Sequence, residues 1–265
     1  MLAEDRPYGP GNPDYEHDGR MAELDSIATV RFSHLKAYGR SAAHGQHARQ
    51  QEKKQTTAMQ LGTAVHAMLF DTRKVCGYPG AQRRGKEYEA FSAEHPDYEI
   101  LTMSEYDKAR RMVDAVAKCV AARPYLNGAI EQTINFRWMG VDCRATPDVR
   151  GTDYLTELKT SNTSDPMRFP WQARRMCYHA QMRMQQLATF KRPDCFIVCI
   201  ESEEPFPVTV FQMDTKALDI GERLLMLWME RLKNSELSGH FPAYSQSVCP
   251  LIIDDEQELE IADAD

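Results

Sequence analysis

The sequence predicts an α/β fold, a mixed central β-sheet flanked by helices with a mostly helical N-terminal portion. Two observations carry this. Up to Pro124 the apolar residues recur at helical spacing, and beyond it they switch to the two-residue period of strands. The later strands then alternate with long segments free of helix breakers, so the order runs helices, hairpin strands, helix, strands, helix.

Taken in order, residues 1–25 are rich in Pro, Gly and acids and form an extended segment outside the folded unit. "DSIATVRFSHLKAYGRSAAHGQHARQ" starts as a short strand or turn and continues as a helix with Ser33 as N-cap. "TTAMQLGTAVHAMLFD" is a second helix with Met59, Leu61, Val65, Met68 and Leu69 on its apolar side, and it places His66 about one turn after Gly62. "SEYDKARRMVDAVAKCVAA" is a third, capped by Ser104 and burying Met112, Val113, Val116 and Val120. Thr133 to Trp138 and Val141 to Ala145 form a hairpin around Gly140, and a turn at 151–153 leads into a strand from Tyr154 to Thr160. "PWQARRMCYHAQMRMQQLATF" is one long helix. "DCFIVCIES" and "PFPVTVFQMD" are strands, the first with Cys195 and Cys199 on one core face. "TKALDIGERLLMLWMERLKNSE" closes the fold as a helix with Leu218, Leu224, Leu225, Leu227, Trp228 and Leu232 along its apolar side. The expected organisation is one domain over 26–245 and an acidic tail over 246–265.

Composition narrows the class. With 42% hydrophobic residues in 265, the chain can bury a full core. No apolar run approaches the roughly 20 residues of a membrane helix, and the N-terminus lacks a basic start followed by an apolar stretch, so the expectation is a cytoplasmic protein without a membrane partner. Seven cysteines, an odd number, read as reduced thiols rather than a disulfide framework. The net charge of −7 argues against a generic nucleic-acid binder, yet residues 26–200 alone carry net +9. Within them, Arg168, Arg174, Arg175, Arg183, Lys191 and Arg192 lie in 166–193 without any acid. Such a run is either a solvated helix face or a track for a phosphate backbone.

The chemistry concentrates in "PDVRGTDYLTELKTS", residues 147–161. Residues two apart on a strand share a face, so Glu157 and Lys159 point together while Asp148 runs beside them. Two carboxylates there suit a hard cation such as Mg²⁺ or Mn²⁺, with the Leu158 carbonyl as a further oxygen ligand. Lys159 is then placed to orient or deprotonate a water. By the local pattern alone, a Glu–Lys pair across a half-exposed strand fits as well.

This stretch resembles the core motif of the PD-(D/E)XK nucleases, with Asp148, Glu157 and Lys159 in the motif positions. "LGTAVHAMLF" resembles the helix of RecE-type and RecB-type members whose histidine is an additional metal ligand, here His66. "FSHLKAYGRSAAH" resembles the N-terminal segment of RecE-like phage and prophage exonucleases. "WQARRMCYHAQMRMQQ" resembles the helix after the catalytic strand, with Tyr178, His179 and Gln181 in its Tyr-His-x-Gln motif. Relatives often carry Gln-x-x-x-Tyr there, whereas this chain has Gln185. The likeness extends over roughly residues 30–245.

The resemblance implies a restriction-endonuclease-like core and a metal held by His66, Asp148, Glu157 and the Leu158 carbonyl, with Glu131 as a further contact. Tyr178 and Gln181 would position phosphate or lysine, and Arg144, Arg174 and Arg175 would contact DNA. An iron–sulfur cluster is not expected, because residues 1–75 hold no cysteine. The implied activity is Mg²⁺-dependent exonucleolytic hydrolysis at duplex DNA ends, with Mn²⁺ as substitute metal. A homo-oligomer and a single-strand annealing partner in recombination go with it. An endonuclease or repair nuclease of other substrate geometry, and a noncatalytic DNA-end-binding module on the same fold, remain as alternatives.

Overall fold

A computed structural model of the protein describes residues 24, 27–51, 55–80, 82–189, 191–245 and 247–251. The expected N-terminal segment, save Leu24, and the tail from 252 onward lie outside the described residues. Strand β1 (Val30–Arg31) runs directly into α1 (Phe32–Arg40), and α2 (Ala42–Gln50) follows after a break at Ser41. Ser33 is therefore not a cap. Arg31 stands at the first N-cap without a side-chain bond, while Ser41 caps the second helix by accepting from the His44 amide. Next come α3 (Thr57–Phe70), β2 (Lys74–Tyr78), α4 (Lys86–Glu94), β3 (Tyr98–Thr102) and α5 (Met103–Lys118). Thr102, not Ser104, caps α5, in a capping box closed by Glu105. Met59 and Val120 face solvent, at 44% and 74% exposure, so the apolar stripes are narrower than their sequences indicate.

Strands β4 (Ala129–Ile130), β5 (Ile134–Trp138), β6 (Val141–Ala145), β7 (Val149–Arg150) and β8 (Tyr154–Ser161) follow. The segment expected as one helix is two, α6 (Phe169–Arg175) and α7 (Tyr178–Leu187), because Cys177 adopts a left-handed conformation at φ 57°. Strands β9 (Asp194–Glu201) and β10 (Val208–Gln212) and helix α8 (Thr215–Ser238) complete the chain. Leu227 on α8 is 51% exposed, against expectation, whereas Leu218, Leu225, Trp228 and Leu232 are buried.

The central sheet has five strands in the order β10-β9-β8-β7-β4 and is mixed: β8 and β9 are parallel, and the other pairs antiparallel. The β5–β6 hairpin joins β1 in a separate three-stranded sheet, and β2 and β3 form a parallel pair. Helices cover both faces of β8–β9. Leu61 and Val65 of α3, with Met112 and Val116 of α5, pack on Leu158, Val198 and Ile200. On the opposite face Phe169, Tyr178, Met182 and Leu218 pack on Leu155, Cys195, Ile197 and Cys199. Each such buried aliphatic or aromatic side chain contributes about 1.5–3 kcal/mol. Together they fix the register, since a one-residue slip of β8 would drive Glu157 and Lys159 into the α3 layer. A Cβ on Gly62 of α3 would sit 3.0 Å from Thr160 Oγ1, so glycine lets this helix lie close on β8.

Candidate active site

Strand β7 pairs with β8 over only two positions, Val149 with Thr156 and Arg150 with Leu155. The chain entering β7 therefore leaves the edge of β8 open beside Glu157–Lys159, and the Asp148 side chain occupies that edge. Its Oδ2 accepts the Leu158 amide at 2.7 Å. The Leu158 carbonyl is met from the α3 side by His66, whose Nε2 lies 2.9 Å away, and His66 Nδ1 stands 3.5 Å from Asp148 Oδ2. His66 thus reaches across 92 positions of sequence to the residue whose amide Asp148 holds.

On the other face of β8, Glu157 is 2% exposed and surrounded by donors. Lys159 Nζ and Gln181 Nε2 donate to its Oε2 at 2.5 and 2.8 Å, and Gln185 Nε2 donates to Oε1 at 2.5 Å. The Tyr178 ring lies 5.2 Å from Lys159 Nζ, a cation–π contact. Gln181 and Gln185 are one helical turn apart on α7, so both amides reach the same carboxylate.

The charges do not cancel. Burial, then the neighbouring Glu157 carboxylate, pushes Asp148 well above the usual carboxylate range. Burial opposes the charge on Lys159, but Glu157 and Asp148 more than offset this and hold the lysine above its ordinary value. Burial, followed by the Lys159 charge, holds His66 below the ordinary imidazole value, so its ring is neutral near pH 7. The Leu158 oxygen can only accept, so the neutral ring carries its proton on Nε2 and turns the Nδ1 lone pair toward Asp148. An imidazole, two carboxylates and a carbonyl around one strand edge make a donor set that fits a hard divalent cation. Among the described residues, however, no three His, Cys, Asp or Glu side chains stand grouped for an ion, with Glu157 held by its lysine and glutamine donors.

The predicted residues divide accordingly. His66, Asp148, Glu157, Leu158, Lys159, Tyr178 and Gln181 come together. Glu131 adjoins them: its amide donates to the Asp148 carbonyl at 3.0 Å, and its charge adds to the upward push on Asp148. Arg144 pairs across strands with Arg31, and both line a cavity of about 560 Å³ that also reaches Gln181 and Gln185. Arg174 and Arg175 are exposed in the last turn of α6. Arg183 of the basic run is instead 4% exposed and turned inward, bonded to Glu222 and Gln186. The sequence reading missed Gln185 as a site residue; its spacing of four from Gln181 was the available signal.

A family model described as a PDDEXK-like domain of unknown function (DUF3799) matches residues 31–251. The fold resembles that of a candidate exonuclease from Eubacterium rectale at a TM-score of 0.61 and 14% identity, over 94% of this chain and 98% of that one. A phage-related exonuclease from Haemophilus somnus reaches 0.37 at 14% identity, over 84% of this chain and 100% of that one. An alkaline exonuclease from Laribacter hongkongensis reaches 0.33 at 15%, over 79% and 90%. No curated protein matches the chain by sequence. Among the described residues no helix is long and apolar enough to cross a membrane.

Proposed function

The chain belongs to the PDDEXK-like domain family, and we propose that it is a metal-dependent deoxyribonuclease, an exonuclease that hydrolyses phosphodiester bonds at duplex DNA ends. The single observation that supports this most is the buried set of Asp148, Glu157 and Lys159 on and beside β8, with His66 brought to the Leu158 carbonyl from α3. A purely structural strand has no reason to hold two carboxylates and one lysine with that imbalance.

In this reading His66, Asp148, Glu157 and the Leu158 carbonyl hold Mg²⁺, with Mn²⁺ as substitute and Glu131 at the margin. When bound, the cation lowers the pKa of a water and polarises the scissile phosphate. The Lys159 ammonium orients that water and offsets the negative charge that develops on the phosphate. Gln181 and Gln185 hold the Glu157 carboxylate in place, and Tyr178 confines the lysine. The cavity beside Arg31 and Arg144 receives the backbone of the strand being cut, its arginines donating to phosphate oxygens. Homo-oligomerisation, which would multiply the positive faces around one duplex, and a single-strand annealing protein as recombination partner complete the proposal.

The test is incubation with linear duplex, closed circular and single-stranded DNA, in Mg²⁺ or in EDTA. Mg²⁺-dependent loss of the linear duplex alone supports an end-dependent exonuclease. Cutting of closed circles would replace it with an endonuclease, and no cutting in any divalent cation would leave a noncatalytic module.

A further inference from the structure

Helix α6 stands beside the site and uses only one of its sides to attach. Phe169 is buried against Phe211, ring centroids 4.6 Å apart. Gln172 Oε1 accepts from Ser161 Oγ at 2.8 Å, and Ser161 lies on the same face of β8 as Glu157 and Lys159. The helix is thus bolted to the catalytic strand one step beyond the lysine. Its outward side presents Trp171 at 71% exposure, with Met167 at 81% in the preceding turn. Arg174 and Arg175 follow Trp171 by three and four residues and share its surface. Among the described residues neither is in an ion pair, whereas Arg168 lies 3.9 Å from Asp165.

Neither the fold nor the hydrolytic site accounts for an exposed indole beside two arginines that no described residue pairs. We propose that Trp171, with Arg174 and Arg175, is a platform for unpaired nucleic acid, the indole stacking on a base and the guanidiniums holding the adjacent phosphates. This rests on the nuclease reading and adds to it a second, single-stranded subsite next to the cut. The chemistry favours an unpaired strand over the alternatives. A duplex offers no free base face to an indole on its outside, whereas every unpaired base has one. Two copies of the chain meeting symmetrically through this patch would set its arginines against their own like charges. The patch also lies on the helix tied to Ser161, two residues beyond Lys159 on the same face of β8.

The full-length protein, Trp171→Ala and Trp171→Phe are compared in EDTA by fluorescence anisotropy. The probes are an oligothymidylate of roughly 12 nucleotides, an abasic oligomer of equal length, and a blunt duplex. Tryptophan quenching and sedimentation are read in parallel, with duplex cleavage measured separately in Mg²⁺. Trp171→Ala should bind oligothymidylate about tenfold more weakly and lose most of the quenching, keep its affinity for the abasic oligomer, and be largely rescued by phenylalanine. Equal affinity of wild type and Trp171→Ala for oligothymidylate would overturn the platform. So would loss of self-association in Trp171→Ala with unchanged oligothymidylate binding, which would give the patch to a second copy. Cleavage with Trp171-independent binding sinks the platform alone; Trp171-dependent binding without cleavage in any metal sinks the nuclease reading alone.

Discussion

Helix α7 carries two buried polar networks that solve opposite problems. Toward α8, Arg183 donates to Glu222 and to Gln186 Oε1, and Gln186 Nε2 donates to the Pro193 carbonyl at 2.8 Å. One cation meets one anion, and the donors find acceptors. Close packing sets this up, because a Cβ on Gly221 of α8 would lie 2.6 Å from the His179 carbonyl oxygen. Toward β8, Gln181 and Gln185 serve Glu157, which with Asp148 faces a single lysine. There Gln185 Oε1, although buried, has no hydrogen-bond partner among the described residues. The first network is closed and holds two helices together; the second sets two carboxylates against one lysine, an imbalance that a proton on Asp148 or a bound cation relieves.

Breaking each network should therefore damage different properties. The largest effect is expected from Lys159→Ala: cleavage of linear duplex falls by about a thousandfold, while calorimetric cation binding persists, since the lysine contributes no ligand. Wild-type turnover at equal folded concentration would remove its role. Arg183→Ala should instead leave the half-buried Glu222 without its cation and cost about 2 kcal/mol of stability, read as a lowered urea midpoint, with turnover per folded molecule retained. If Arg183→Ala remains fully stable but loses cleavage, the division between the two networks is wrong.

The open network can be graded further. His66→Ala should lose about thirtyfold of activity in limiting Mg²⁺ and less in Mn²⁺, which binds such donor sets more tightly along the divalent series. Normal cleavage with early melting would mark His66 as structural. Gln185→Ala should cost about tenfold, a smaller loss because Gln181 and Lys159 still hold Glu157. An unchanged rate in this variant would reduce the second glutamine to packing.

What could be read beforehand follows the range of the interaction. Asp148, Glu157 and Lys159 lie within twelve residues, and strand alternation suffices to put the last two on one face. Helix ends were less legible: Ser104 and Thr102 are both acceptable caps, and the choice fell to Thr102 because Glu105 closes the box back onto it. The break at Cys177 carries no Gly or Pro to announce it, so the segment read as one helix. Arg183 looked like part of a basic track because its partner Glu222 lies 39 residues away.

By itself the sequence determined the α/β class, the alternation that pairs Glu157 with Lys159, and a positive middle between acidic ends. It did not determine the β2–β3 pair or α4, which lie in a stretch that reads as helical. The features it determined depend on neighbours a few residues apart, where backbone geometry dictates which side chains share a face. Tertiary structure alone decided which arginines face inward, that two glutamines rather than one hold Glu157, and that α3 delivers His66 to the Leu158 carbonyl. Those outcomes depend on how closely helices approach the sheet and where β7 leaves β8, and packing of the whole core sets both distances.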